Sequence, residues 1–564
     1  MNPFSLAFRE QQQLFLYDKQ YLADTLLQPG GFSALTGRFL VQFFGNPVLA
    51  VLIVLLCLFG IAWVLRRQFP LVLAPLVFLA ASLADPDMHF DVVPALFLAA
   101  LCFSCWAKAK RKLLWGITFA VVLFPLAGSA SFLFSLCVLG YSLGKFEDIV
   151  PALCTVAAGL AAAYAAYLLL AVPAFGFALS PSFFYNPGET MPAGHLVFWF
   201  ALPVSVLLSE LLYSVLKKRY AVIAAVLLVL VALPFSFKVY KKTGKLSMQQ
   251  IYKLNHYASR QNWDALEDAS EPYLNYSIAS NYFWLAKSCK GTMMKDLMRY
   301  PHDGPSDLIY IPSDRSANYA LPYVLYHVGN MAGAQNVAYN LVFTSTGYNP
   351  SLLKMLCDID IMRGSYDVAA KYLDILSHSL FYRKWAAQRR EFLYDDAKVE
   401  ADPEFGRGRA DFPETDGFAV YGSPMNELFA ILRANQSDAA AMEYGLAYLL
   451  LAKDIRNTSH FVKDFYGTPA LQKLPDCAQE ALVFFTDYQR SVEHNPEFGF
   501  LTQEWCLSHG VEPNTISRLR DFQEASLRNS GRAPARYHNS FWHYLIYVSN
   551  SVSRAVIPDR KPVY

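Results

Sequence analysis

VLAVLIVLLCLFGIAWVL, residues 48–65, runs for eighteen positions without a charged side chain. A helix of about 20 mostly apolar residues crosses a bilayer, because its backbone groups bond within the segment where no water is available. Seven further runs read the same way, at 71–84, 92–107, 113–127, 131–143, 150–172, 196–216 and 220–237. Those at 71–84, 113–127 and 131–143 are short, and the last two together also fit one re-entrant hairpin.

Composition changes once along the chain. Of 564 residues, 54% are hydrophobic and 17% charged, against roughly 25% charged in soluble proteins. The long uncharged runs end before Lys241, and charges recur throughout 245–564. The expected fold is therefore all-α. A transmembrane bundle of about eight spans covers 48–240, a soluble helical-repeat domain covers 246–564, and an N-terminal segment, 1–47, precedes both. A net charge of +2, with no basic stripe carrying interleaved aromatics, argues against nucleic acid as a partner.

Lysine and arginine in short loops stay on the cytoplasmic side. Arg66-Arg67, Lys108 to Lys112 and Lys217 to Arg219 are separated by even numbers of spans, so they share that side. The loops 85–91 and 180–195, both termini and the C-terminal domain then face outward from a bacterial inner membrane. The cluster Lys238 to Lys245 opposes this, but charge beside a large exported domain orients weakly. Residues 1–47 have no basic stretch followed by an apolar core, so they are not a signal peptide, and an outward N-terminus implies a span upstream. Leu14, Tyr17, Tyr21 and Leu22 recur at helical spacing, and Pro29-Gly30-Gly31 interrupts the pattern before residues 35–44 resume it. Such a segment suits helices lying in the outer interface.

From Met248 the spacing is helix-turn-helix. Leu352, Leu353, Leu356 and Ile359 mark one helix, Arg363-Gly364-Ser365-Tyr366 a turn, and Val368, Ala369, Tyr372 and Leu373 the next. Gly364, Tyr366 and Ala369 resemble the turn of tetratricopeptide repeats, and Gly329 lies 35 residues earlier, near the 34 of that repeat. Cys357 and Asp360 depart from it where a small residue and a tyrosine are usual. Stacked repeats offer an extended surface for a protein partner, or pack on their own membrane domain.

No Walker loop, dinucleotide-binding glycine turn, His-Glu-x-x-His or Gly-x-Ser-x-Gly occurs. Five of nine cysteines lie in the spans, and Cys102-Phe103-Ser104-Cys105 reads as small-residue helix packing. Cys289, Cys357, Cys477 and Cys506 lie in the soluble half, with no spacing that fixes a disulfide framework. Asp85, Asp87, His89 and Asp91 fall within seven residues, a set that holds a divalent cation or supplies a base, or else forms an acidic solvated loop. Glu10 stands just before the amphipathic segment. Glu189 lies in the Pro187-Gly188-Glu189 turn after three aromatics, and Glu210 is a carboxylate inside a span, two turns from Lys217.

Glu10-Gln11, Gln13-Leu14-Phe15-Leu16, Pro29-Gly30-Gly31-Phe32 and Phe39 to Phe44, with Leu380-Phe381-Tyr382-Arg383-Lys384-Trp385, resemble an uncharacterised family of polytopic bacterial envelope proteins with tetratricopeptide-like C-terminal domains. That resemblance implies no activity; the repeats themselves give the first functional expectation, an envelope scaffold or assembly factor that binds a partner through them. The order of elements is also similar to C-type glycosyltransferases, which use outer-loop acids beside a polyprenyl-linked sugar. This likeness implies Glu10 as the first-loop acid and Asp85 or Asp87 as the second, in a site that can take a divalent cation as cofactor; His89, Asp91, Glu189 and Glu210 stand as candidate binding residues on their own positions in the sequence. Glu10 is followed by glutamine, so the acidic pair usual there is missing.

Overall fold

The computed structural model describes residues 3–66, 71–83, 88–169, 172, 174–185, 191, 193–215, 247–312, 318–343, 349–412, 424–528 and 533–549, with four isolated residues between 223 and 230. Among them the regular elements are helices, with no strand. Asp85, Asp87, Glu189, the Lys217–Arg219 loop, the basic cluster at 238–245 and most of the run at 220–237 lie outside the described residues.

Three short helices open the chain, α1 (Pro3–Glu10), α2 (Lys19–Leu27) and α3 (Gly31–Val41). The apolar runs become α4 (Pro47–Val64), α5 (Leu73–Ser82), α6 (Val92–Lys108), α7 (Lys112–Ala127), α8 (Ala130–Lys145), α9 (Ile149–Leu169) and, after the short α10 (Phe175–Leu179), α11 (Ala193–Val215). Three of these are long and apolar enough to cross a membrane: Pro47–Val64, Ile149–Leu169 and Gly194–Tyr213. The others are shorter. Asn46 caps α4 by accepting from the amides of Val48 and Leu49, and Pro47 fits the first turn, where its missing N–H costs nothing. The outer face of α4 leaves Val48, Leu52, Leu56 and Phe59 exposed, an uncovered apolar stripe. Inside the bundle α8 packs against α11, α9 and α6, and α7 packs against both α8 and α9.

In the C-terminal half α12 (Met248–Ser259) comes first. Beyond a first pair formed by Trp263–Ser270 and Ser277–Cys289 stand two more, α13 (Leu321–His327) with α14 (Met331–Phe343), and α15 (Pro350–Arg363) with α16 (Tyr366–Ser377), and α14 packs on α15. Gly329 and Gly364 close the first helix of each of these two pairs at φ +77° and +80°, left-handed geometry that glycine adopts without strain. Buried Asp360 accepts from Gln335 Nε2 at 2.9 Å, so the acid at this departure from the repeat pattern ties the two pairs together. All nine cysteines are free thiols.

The N-terminal segment belongs to both halves. Leu6, Val41 and Phe44 enter the core of the apolar bundle, whereas Leu14 and Leu16 enter the core of the C-terminal half. Phe8 stacks on Tyr252 of α12 with ring centres 3.8 Å apart, a contact worth about 1 kcal/mol beyond burial. The Tyr17 amide donates to His378 O at 2.8 Å, and Arg260 reaches Gly45 O at 2.8 Å. On the bundle side, the Gly30 amide donates to Pro125 O at 2.9 Å and Ser33 Oγ to Leu126 O at 2.9 Å, which docks α3 on α7.

Candidate functional site

Where the two halves meet, they enclose a cavity of about 520 Å³. Its walls come from the end of α1, the start of α4, α12, α15 and the Phe381-Tyr382 loop. Arg9 fixes the end of α1 on the apolar bundle by donating to Leu83 O at 2.7 Å. The Ser351 amide donates to Gln11 Oε1 at 3.2 Å from the other side.

Glu10 is 5% exposed. Tyr382 Oη donates to its Oε1 at 2.8 Å and Gln11 Nε2 to its Oε2 at 2.5 Å. Burial disfavours the carboxylate more than these donors and Arg260 favour it, so its pKa rises to about 7. Proton occupancy there changes across neutrality. Burial and the Arg260 charge push His256 down to about 4, leaving a neutral imidazole. Lys354, half-buried above the Trp385 ring at 5.0 Å, is lowered by burial as well. The cavity thus combines two cationic side chains, Arg260 and Lys354, with a carboxyl poised to give or take a proton.

The other sequence candidates have separate partners. Asp91 pairs with Arg38 at 3.6 Å, and burial raises its carboxyl despite that guanidinium. Gly37 makes room for this contact: a Cβ there would stand 2.7 Å from Asp91 Cα. His89 Nδ1 lies 2.7 Å from Phe184 O, and its ring stacks on Tyr185, whose hydroxyl also reaches Met88 Sδ at 3.1 Å and His195 Nδ1 at 3.2 Å. Glu210 faces Lys145 at 3.8 Å, an interhelical pair between α8 and α11. Among the described residues no group of three or more His, Cys, Asp or Glu side chains is arranged to hold a metal ion.

Glu10 stands in a recognisable string, whereas His256 lies on α12, Arg260 just past its end and Lys354 on the largely buried α15, with no motif around them. Tyr382 carried a signal, since it lies in the Leu380 to Trp385 string, although nothing local to that string indicates a carboxyl partner 372 positions away.

The chain belongs to a family of unknown function, DUF6057, whose profile spans residues 1–548. Neither the curated proteins nor the solved structures contain a match.

Proposed function

We propose that this DUF6057 member is an integral membrane protein of the bacterial inner membrane, its C-terminal half extracytoplasmic, that takes the phosphorylated head of a membrane-anchored ligand into the junction cavity. Glu10 is the acid–base group of that site, and the reaction class is transfer from a polyprenyl-linked sugar donor. The observation that carries the reading is a carboxyl with a pKa of about 7 in a cavity that also holds Arg260 and Lys354. An acid or base works best when its pKa lies near the working pH, and guanidinium and ammonium groups suit phosphate oxygens.

The position of the cavity supports a lipid rather than a free solute. Asn46 and Leu49 of the first turn of α4 line it, and the exposed apolar face of α4 continues from there. An amphipathic ligand can keep its head between Arg260 and Lys354 while its chain runs along Leu52, Leu56 and Phe59. Native mass spectrometry of the full chain with added polyprenyl phosphate tests this. Binding should weaken at least tenfold in Arg260→Gln/Lys354→Gln; equal binding by the double variant refutes it.

A second reading, an assembly factor that binds a protein through tetratricopeptide-like repeats, is supported by the repeated helix pairs and their two left-handed glycines. It predicts that Glu10→Gln retains cellular function while substitutions on the exposed face of α14 to α16 abolish it. The first reading predicts the reverse.

A further inference from the structure

The C-terminal half holds a second cavity, of about 460 Å³, within the range of pockets that bury small organic ligands. It lies between α17 (Asp476–Tyr488) and α18 (Pro513–Arg528), with the chain between them closing it. Its floor is apolar: Val483, Phe498, Leu501 and Leu519 are each buried.

The mouth is basic and held in place. Arg490 pairs with Asp487 at 3.5 Å, and Gln523 Nε2 donates to the same carboxylate at 3.0 Å, so that charge is neutralised. Arg520 lines the cavity with no ion pair or hydrogen bond among the described residues. The rim is a single π-helical turn, Gln489–Glu493, ending at His494 with φ +51°. Such turns are uncommon and concentrate at functional sites. Here Gln489 braces it, donating to Glu493 at 2.9 Å and accepting from the Asn495 amide at 3.1 Å.

We propose that this cavity is a second ligand site, which takes a small amphipathic carboxylate. The apolar body would fill the floor, and the carboxylate would meet the uncommitted Arg520 guanidinium, a planar donor matched to two carboxylate oxygens. One net positive charge at the mouth suits a monoanion. A phosphate monoester would bring about two charges to one free cation.

Calorimetry of 2-naphthoate on the full chain in lipid nanodiscs, with empty nanodiscs subtracted, tests the assignment. The expected result is saturable binding that falls at least tenfold for neutral 2-naphthol and for Arg520→Gln, and is unchanged in Lys354→Gln. Ile516→Trp, which fills the cavity from α18, should abolish binding with an unaltered melting curve. If that variant unfolds, the surface substitution Arg520→Gln decides alone. No saturable binding, equal affinity for naphthoate and naphthol, or full affinity in Arg520→Gln overturns the proposal. So does loss of binding in Lys354→Gln, which would move the ligand to the junction cavity.

Discussion

Tyr382 and Glu10, 372 residues apart in sequence, meet at 2.8 Å inside the junction of the two halves. The hydroxyl donates to the carboxyl, so the bond favours the ionised form, and burial opposes it. This contact links the N-terminal segment, the C-terminal half and the acid–base property assigned to the site.

Replacing Tyr382 by phenylalanine removes that donor and leaves the cavity shape intact. A buried acceptor that loses its partner costs about 1–3 kcal/mol. Chemical denaturation of Tyr382→Phe should show a loss in this range, and the Glu10 pKa should rise above its present value because ionisation has lost a supporting hydrogen bond.

Glu10 also makes stability depend on pH. Its folded pKa of about 7 lies above the ordinary 4.5, so the folded state holds the proton more tightly. The resulting stabilisation is complete below pH 4.5, declines as pH rises toward 7 and is lost above it. The 2.5-unit difference corresponds to about 3 kcal/mol across that window. Asp358 and Glu480 are also raised to about 7 by burial, and Asp411 is raised by burial and the neighbouring Asp438, so all three add to the same slope. Denaturation midpoints between pH 5 and 8 should therefore fall less steeply in Glu10→Gln than in the parent protein.

The two left-handed glycines should respond unequally to alanine. At Gly364 a Cβ meets nothing within 4 Å, so Gly364→Ala pays only backbone strain, about 1 kcal/mol. At Gly329 the Cβ would also stand 2.9 Å from Asp411 Oδ2, so Gly329→Ala should cost more. Melting temperatures of the two variants give the comparison.

Close approach at Gly37 leads to a further expectation. Gly37→Ala would press α3 away from the start of α6, because Asp91 backbone and side chain both lie within 3 Å of the new methyl. Overpacking of this kind costs about 1–3 kcal/mol. The Arg38–Asp91 pair should open, which a charge-reversed Arg38→Asp/Asp91→Arg double variant, measured against each single variant, separates from the steric effect.

The all-helical architecture was legible because apolar runs and helical periodicity are local signals. Residues 48–65 became α4 almost residue for residue, and Gly364 ended its helix where the pattern broke. Three helices meet the length and composition for crossing a membrane; 71–84, 113–127 and 131–143 yield shorter ones, and 92–107 also gives a helix below that length. Glu10 was legible as a candidate carboxyl ahead of the apolar bundle. Its setting was not, because Tyr382, Arg260 and Lys354 come together only through tertiary packing. The helical spacing of Leu14, Tyr17 and Tyr21 did not translate into one helix face: Leu14 and Tyr17 lie in an irregular stretch before α2 begins at Lys19, Tyr17 is exposed, and Leu14 is buried by the C-terminal half.

The most direct test is a titration of the Glu10 carboxyl by carbon-13 spectroscopy in nanodiscs, assigned by its loss in Glu10→Gln, with and without polyprenyl phosphate. The account predicts a midpoint near pH 7 in the free protein and a higher one when the ligand's negative charge enters the cavity. A midpoint near 4.5 that does not respond to the ligand would contradict it.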